Sequence, residues 1–213
     1  MGKVVAFRVD FAGSPSRSRT LDERLFMRFP VVYRRLSALV MRLQPRSRLR
    51  QALLGRSVAS SFPAFNRGDF ERVLVAFASD IEYVAPAGIQ ALGMPGTIRG
   101  RDALGRAYAD TFEDWGRWDM APAWVLDLGN VLVVLTAISL RGRGSGVELE
   151  SEWASLYEMH GGLVGRQQDF LSWEEALRAA KVDQNELPAT LRTVARTRSP
   201  LDVEIGAPRS SHR

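Results

Sequence analysis

Apolar residues at Leu25, Phe29, Val32, Leu36, Leu39, Val40 and Leu43 recur at helical spacing, with arginines on the opposite face. This pattern predicts a basic amphipathic helical extension over residues 21–48. Pro30 either kinks that helix or marks its first turn, and Pro45 ends it. A second helix carries Leu49, Leu53 and Val58 towards Phe62 and Phe65, with Pro63 near its end. Gly68 then permits a reversal, Asp69 is an N-cap, and Phe70 to Phe77 read as a short helix. The first strand is expected at Ile81 to Val84, followed by a Gly/Pro-rich loop from Ala85 to Gly96.

Arg101-Asp102 opens a helix whose Leu104, Tyr108 and Phe112 share a side. Strands follow around Trp118 to Leu126, Val131 to Leu140, Val147 to Met159 and Leu163 to Leu171. They are joined by Leu128-Gly129-Asn130, by the RGRGSG run and by Gly161-Gly162. Ser172 is the expected cap of a closing helix from Trp173 to Ala180, and from Lys181 the pattern decays. The chain thus divides into a flexible leader (1–20), the helical extension (21–48), one mixed domain (49–180) and a weakly structured tail (181–213).

Charge sharpens this division. Residues 1–65 hold 13 basic and 3 acidic groups, residues 66–180 hold 10 and 17, so a basic arm precedes an acidic domain. The expectation is that the arm docks on its own domain or is solvated; contact with an anionic membrane surface is the alternative, and no DNA or RNA partner is expected. Only Lys3 and Lys181 of the 29 basic residues are lysine, a bias that points to a GC-rich bacterial genome. No cysteine is present and His160 and His212 are the only histidines, which removes thiolate and histidine-rich metal chemistry. No apolar run reaches a membrane span, and Arg8 and Asp10 interrupt the first apolar stretch, so a cytoplasmic protein is expected.

Three stretches carry a resemblance: Ala64 to Pro86, Ile98 to Leu104, and Gly162 to Ala180. There the chain resembles the nuclear transport factor 2-like superfamily, and within it the SnoaL-like branch that includes polyketide cyclases. The resemblance spans roughly residues 50 to 180. It implies an α+β cone, a strongly bent antiparallel sheet wrapped around N-terminal helices, with a pocket for a small apolar ligand and a homodimeric assembly. It also implies that the ketosteroid isomerase roles are vacant: the general-base position is Ala85, the oxyanion tyrosine falls on Ser61, and the assisting aspartate falls on Ala154. The acid/base aspartate of the polyketide cyclase branch matches Asp169, whereas its histidine has no counterpart; Trp153 and Ser155 occupy that region and His160 lies at the hairpin turn.

The candidate catalytic residue is therefore Asp169, with Tyr83 and Gln167 as neighbours able to orient a carbonyl. Pointing into an apolar hollow it would have a raised pKa suited to proton transfer; pointing outward it would be structural. Tyr108, Phe112, Trp115, Trp118 and Trp124 suit the wall of a cavity for a flat ligand, though core packing explains aromatic residues equally well. Ala85, Glu152 and Leu156 complete the expected lining by resemblance. Glu148, Glu150 and Glu152 alternate on one strand, and alternation alone would place Leu149, Trp153 and Tyr157 inside instead. GRDALGRA from Gly100 imitates a phosphate loop, but Arg106 and Ala107 replace its lysine and hydroxyl residue. The function expected is a cofactor-free cyclisation or isomerisation of an apolar carbonyl metabolite, or ligand binding or protein interaction without catalysis.

Overall fold

A computed structural model of the protein describes residues 4–11, 19–90, 94–142 and 148–192, and the backbone alone of Asp22 and residues 114–117. The leader over residues 12–18, the strand start at Val147, most of the RGRGSG run, the side chain of Trp115 and the tail from residue 193 lie outside the described residues. The elements run β1 (Val5–Arg8), α1 (Leu21–Arg28), α2 (Pro30–Arg42), α3 (Arg48–Asn66), α4 (Phe70–Leu74), β2 (Phe77–Val84), α5 (Ala87–Gln90) and β3 (Thr97–Arg99). They continue with α6 (Arg101–Asp114), β4 (Trp115–Asp127), β5 (Val131–Gly142), β6 (Glu148–His160), β7 (Leu163–Phe170), α7 (Trp173–Ala179) and a 3-10 turn at Gln184–Glu186.

The seven strands form one curved, unclosed sheet in the order β1-β4-β5-β6-β7-β2-β3. Every pair is antiparallel except β2 with β7, which is parallel. The bend comes from bulges, where an extra residue breaks the ladder and turns the strand. The β4–β5 register shifts between Pro122 and Trp124, and the β6–β7 register between Glu158 and Met159. Pro122 sits where the ladder is already interrupted, so its missing N–H does little harm.

Two cores follow from the alternation of side chains along bent strands. On the concave side, under α3, α4 and α6, lie Phe62, Val73, Tyr83, Leu104, Tyr108, Trp118, Val134 and Trp153 with their neighbours. On the convex side Leu126, Val133, Leu135, Ala154, Leu156 and Phe170 pack under α7 and the residues that follow it. The bulge in β4 changes parity: Trp118 and Met120 face the concave core, yet beyond Pro122 it is Val125 that does so. Trp124, expected among the cavity aromatics, consequently lies in the convex core beside Leu126.

Both ends of the domain are longer than the sequence suggested. Val5–Arg8, expected within a flexible leader, pairs with β4 from Val5↔Asp127 to Arg8↔Trp124, because its apolar residues have an open sheet edge to cover. Phe7 packs against the concave core and lies 3.5 Å from where a Cβ on Gly55 of α3 would stand. Beyond Lys181, Leu187 and Leu191 are fully buried in the convex core, so the expected decay of structure begins later than Lys181.

The single helix expected over the extension is two, because Phe29 leaves helical geometry and Pro30 starts α2 at the one position where a missing N–H is harmless. Thr20 and Glu23 form a reciprocal capping box on α1. Arg67 then binds Glu23 and Asp69 at 3.0 Å, and Arg19 binds Asp69 at 2.7 Å and Glu71 at 2.9 Å. Burial alone would raise the pKa of Asp69, but the two guanidinium groups outweigh it and hold the carboxyl down at about 2. The arm is thus pinned to its own acidic domain at α1. Further along, Arg50 is buried against Asp127 with bonds of 2.7 Å from Nε and Nη2, and its Nη1 donates to the carbonyls of Met41 and Leu43 that end α2.

Candidate active site

β6 and β7 place Ser155 opposite Asp169 and Tyr157 opposite Gln167, while β7 and β2 place Gln167 opposite Tyr83. Side chains that alternate to the same face of three adjacent strands must converge on the concave side. They meet at a cavity of about 150 Å³ whose polar floor is Asp169 with Ser155, Gln167 and Tyr83 and whose walls are apolar and aromatic.

Asp169 is 3% exposed and accepts three hydrogen bonds. Ser155 Oγ donates to Oδ1 at 2.6 Å, Gln167 Nε2 donates to Oδ1 at 2.8 Å, and the Tyr83 hydroxyl donates to Oδ2 at 2.9 Å. A second tier orients these donors: Trp153 Nε1 donates to Ser155 Oγ at 3.3 Å, and the Tyr108 hydroxyl donates to Gln167 Oε1 at 3.3 Å. Burial disfavours the charged form of Asp169 more than the bonds from Ser155, Gln167 and Tyr83 favour it, and its pKa is pushed up to about 6. The Tyr83 and Tyr108 phenols lie well above their ordinary range, first through burial and then through the charge on Asp169, so both remain donors.

Aromatic rings frame the space above this floor. Tyr83 and Tyr108 meet edge to face at 5.9 Å, Phe65 and Tyr108 at 5.3 Å, and Phe112 stacks on Trp118 at 6.3 Å. Asn66, at the end of α3, exchanges two hydrogen bonds with the backbone of Met120 and so fixes the helix to the strand that carries Trp118. The far end is covered by α2, whose Tyr33 and Ser37 line the cavity.

Of the residues singled out in the sequence, Asp169, Tyr83, Tyr108, Phe112, Trp118 and Gln167 line the cavity. Three do not. Ala85 is buried in the concave core but outside the lining. Glu152 and Leu156 face the convex side, because Trp153, Ser155, Tyr157 and Met159 take the concave positions of β6 and alternation leaves their neighbours no other face. Glu152 instead accepts the backbone N–H of Trp173 at 3.0 Å, capping α7 where Ser172, in the N-cap position, makes no side-chain bond. Tyr83, expected to hold a substrate carbonyl, gives its hydroxyl hydrogen to Asp169, and Gln167 gives Asp169 one of the two N–H donors of its amide. Ser155 was not singled out as a site residue; the alternation that puts Trp153 and Tyr157 inside carries it with them. Tyr33 and Ser37 left no comparable mark, since the helix that bears them reads as an extension.

A curved, unclosed sheet packed on helices is the fold of NTF2-like proteins, and solved structures share it. An NTF2-like protein of unknown function from Burkholderia pseudomallei matches at 24% identity over 58% of this chain and 93% of that one, with a TM-score of 0.51. TerC, co-crystallised with polyporic acid, matches at 22% identity over 58% of this chain and 94% of that one, with a TM-score of 0.50. At such identities the likeness is one of fold. The SnoaL-like domain family matches residues 58–167, and the chain belongs to that family. No curated protein matches it.

Proposed function

We propose that the protein takes up a small, flat, apolar carbonyl compound and moves a proton on it with Asp169, without a cofactor. The observation that carries this reading is the buried carboxyl, with its pKa near 6, at the floor of an aromatic cavity. At neutral pH such a group is mostly ionised yet poorly solvated, which suits a general base working near its own pKa. A cavity of about 150 Å³ is the size that accepts a single aromatic ring.

The carboxylate removes a proton from the carbon beside the carbonyl, and the C–H electron pair becomes the enolate. For ring closure the enolate carbon bonds to a second carbonyl carbon and the resulting alkoxide recovers the proton from the Asp169 acid. For isomerisation the proton returns to a different carbon. Ser155, Gln167 and Tyr83 are positioning residues in this scheme, since they hold the carboxylate and set its basicity. The same three bonds favour a second reading, a ligand carrier in which Asp169 is a satisfied structural group.

The two readings separate on α-proton exchange. With acetophenone as a probe in D₂O, the wild type is expected to accelerate deuterium uptake at the methyl carbon, followed by NMR, while Asp169→Asn binds the ketone without accelerating exchange. Equal exchange in both proteins removes Asp169 from the chemistry. Binding with no exchange in the wild type supports the carrier.

A further inference from the structure

The helix that covers the cavity turns a second face to solvent, and that face is apolar. Leu25 of α1, Phe29 between the helices, and Val32, Leu36 and Leu39 of α2 are each between 49% and 56% exposed. No residue of α2 is buried. Val32, Leu36 and Leu39 fall along one stripe of the helix, a third of a turn away from the side that carries Tyr33 and Ser37 into the cavity. Leu21 of α1 and Leu49 and Leu53 of α3 are exposed as well, at 83%, 60% and 40%. A stripe with the periodicity of a core face, left in water, is a surface made to be covered.

The charge around it says by what. From Arg24 to Gly68 the chain carries ten arginines and neither aspartate nor glutamate. Arg50 and Arg67 are spent on internal ion pairs, whereas Arg24, Arg28, Arg35, Arg42, Arg46 and Arg48 are exposed, and helical spacing puts Arg28, Arg35 and Arg42 beside the apolar stripe rather than on the opposite face expected from the sequence. A second copy of the chain is a poor occupant, because a two-fold interface brings each patch onto itself and would set arginine against arginine. Nucleic acid would satisfy the arginines but leave the leucines and valines uncovered. An anionic bilayer surface satisfies both, with apolar side chains entering the acyl boundary and guanidinium groups at the phosphates. Among the described residues no helix is long and apolar enough to cross a membrane, which fits a helix pair lying on the surface.

We propose that α1 and α2 dock on an anionic membrane surface, with the apolar stripe from Leu25 to Leu39 seated in the lipid and the exposed arginines on its headgroups. The element that docks is also the one whose Tyr33 and Ser37 line the cavity, so docking would hold that cover of the cavity at the bilayer surface.

The test is co-flotation of the full chain with vesicles of phosphatidylglycerol and phosphatidylcholine, and with vesicles of phosphatidylcholine alone. Binding to the anionic vesicles is expected, weakened by added salt, with at least about tenfold weaker partition for Leu36→Asp combined with Leu39→Asp. A second variant, Arg28→Glu with Arg35→Glu, is expected to lose binding by the opposite route and keeps the test open should the first fail to fold. Failure of the wild type to float with anionic vesicles overturns the proposal. So does unchanged binding by the aspartate variant, which would mean charge alone acts, and so does a solution dimer, seen by sedimentation velocity, that the aspartate variant dissociates.

Discussion

Ser155 and Asp169 face one another across β6 and β7 as register partners, with Ser155 Oγ donating to Asp169 Oδ1 at 2.6 Å. This bond stabilises the charged carboxylate and so opposes the effect of burial. Ser155→Ala should therefore raise the Asp169 pKa above its present value of about 6, and the change is read from a carboxyl ¹³C titration by NMR. If Asp169 is the base in the proposed exchange reaction, the acid limb of the rate profile should move up by the same amount. An unmoved titration would mean that the serine does not set the carboxylate.

A carboxyl whose pKa rises on folding stabilises the fold while it is protonated. For Asp169 that contribution is complete below its unfolded value of 3.8 and is lost as the pH climbs through about 6. The shift corresponds to roughly 3 kcal/mol of stability missing at neutral pH. Chemical denaturation across this window should show stability falling with pH in the wild type, and a flatter curve in Asp169→Asn. A stability cost of this kind is what the proposed use of Asp169 as a base would require of the fold.

Periodicity made the architecture legible where one face of an element is apolar and the spacing is unbroken, as in α6 with Leu104 and Tyr108 and in β5. It failed where a single residue changes the count. The bulge at Pro122 moves Trp124 to the convex side, and nothing in the local pattern announces an inserted residue. In β6 the plain alternation was the sounder guide, since placing the strand by likeness to relatives shifted it by one residue and turned Glu152 and Leu156 inward. Asp169 was legible through the resemblance to the polyketide cyclase branch, not through alternation, since the irregularity at Gly165 puts Val164 on the same face as Gln167 and Asp169. Of the three donors around it, Tyr83 and Gln167 were expected as its neighbours, whereas Ser155, its register partner on β6, emerges only from the assembled sheet.

Arg50 illustrates a residue whose role is invisible before folding, being one arginine among many in a basic arm. Buried at 1% exposure, it joins Asp127 at the end of β4 to the last carbonyls of α2. Removing one partner of such a pair leaves the other charged and desolvated. Arg50→Met should cost about 3–5 kcal/mol in denaturant unfolding. Pairing it with Asp127→Leu should recover part of the loss, because the stranded carboxylate is gone while the carbonyls of Met41 and Leu43 still lack their donor. A double variant no better than the single one would show that the carbonyl bonds, rather than the ion pair, hold α2 to the domain.

Gly162 sets how closely α2 can lie over the β6–β7 hairpin. Its φ of +87° is disfavoured for any other residue, and a Cβ there would strike the Ala38 nitrogen and come within 2.8 Å of the Arg34 carbonyl oxygen. Both obstacles are backbone atoms of a helix and cannot rotate aside. Gly162→Ala should therefore lift α2 from the hairpin, at about 1–3 kcal/mol from the backbone conformation alone. Tyr33 and Ser37 would leave the cavity wall with it, while the floor around Asp169 keeps its bonds. Hydrogen exchange should show faster labelling confined to residues 30–42, with β6 and β7 still protected. Uniformly faster exchange through the sheet would mean instead that α2 and the sheet unfold as one unit, leaving the cavity no separately movable cover.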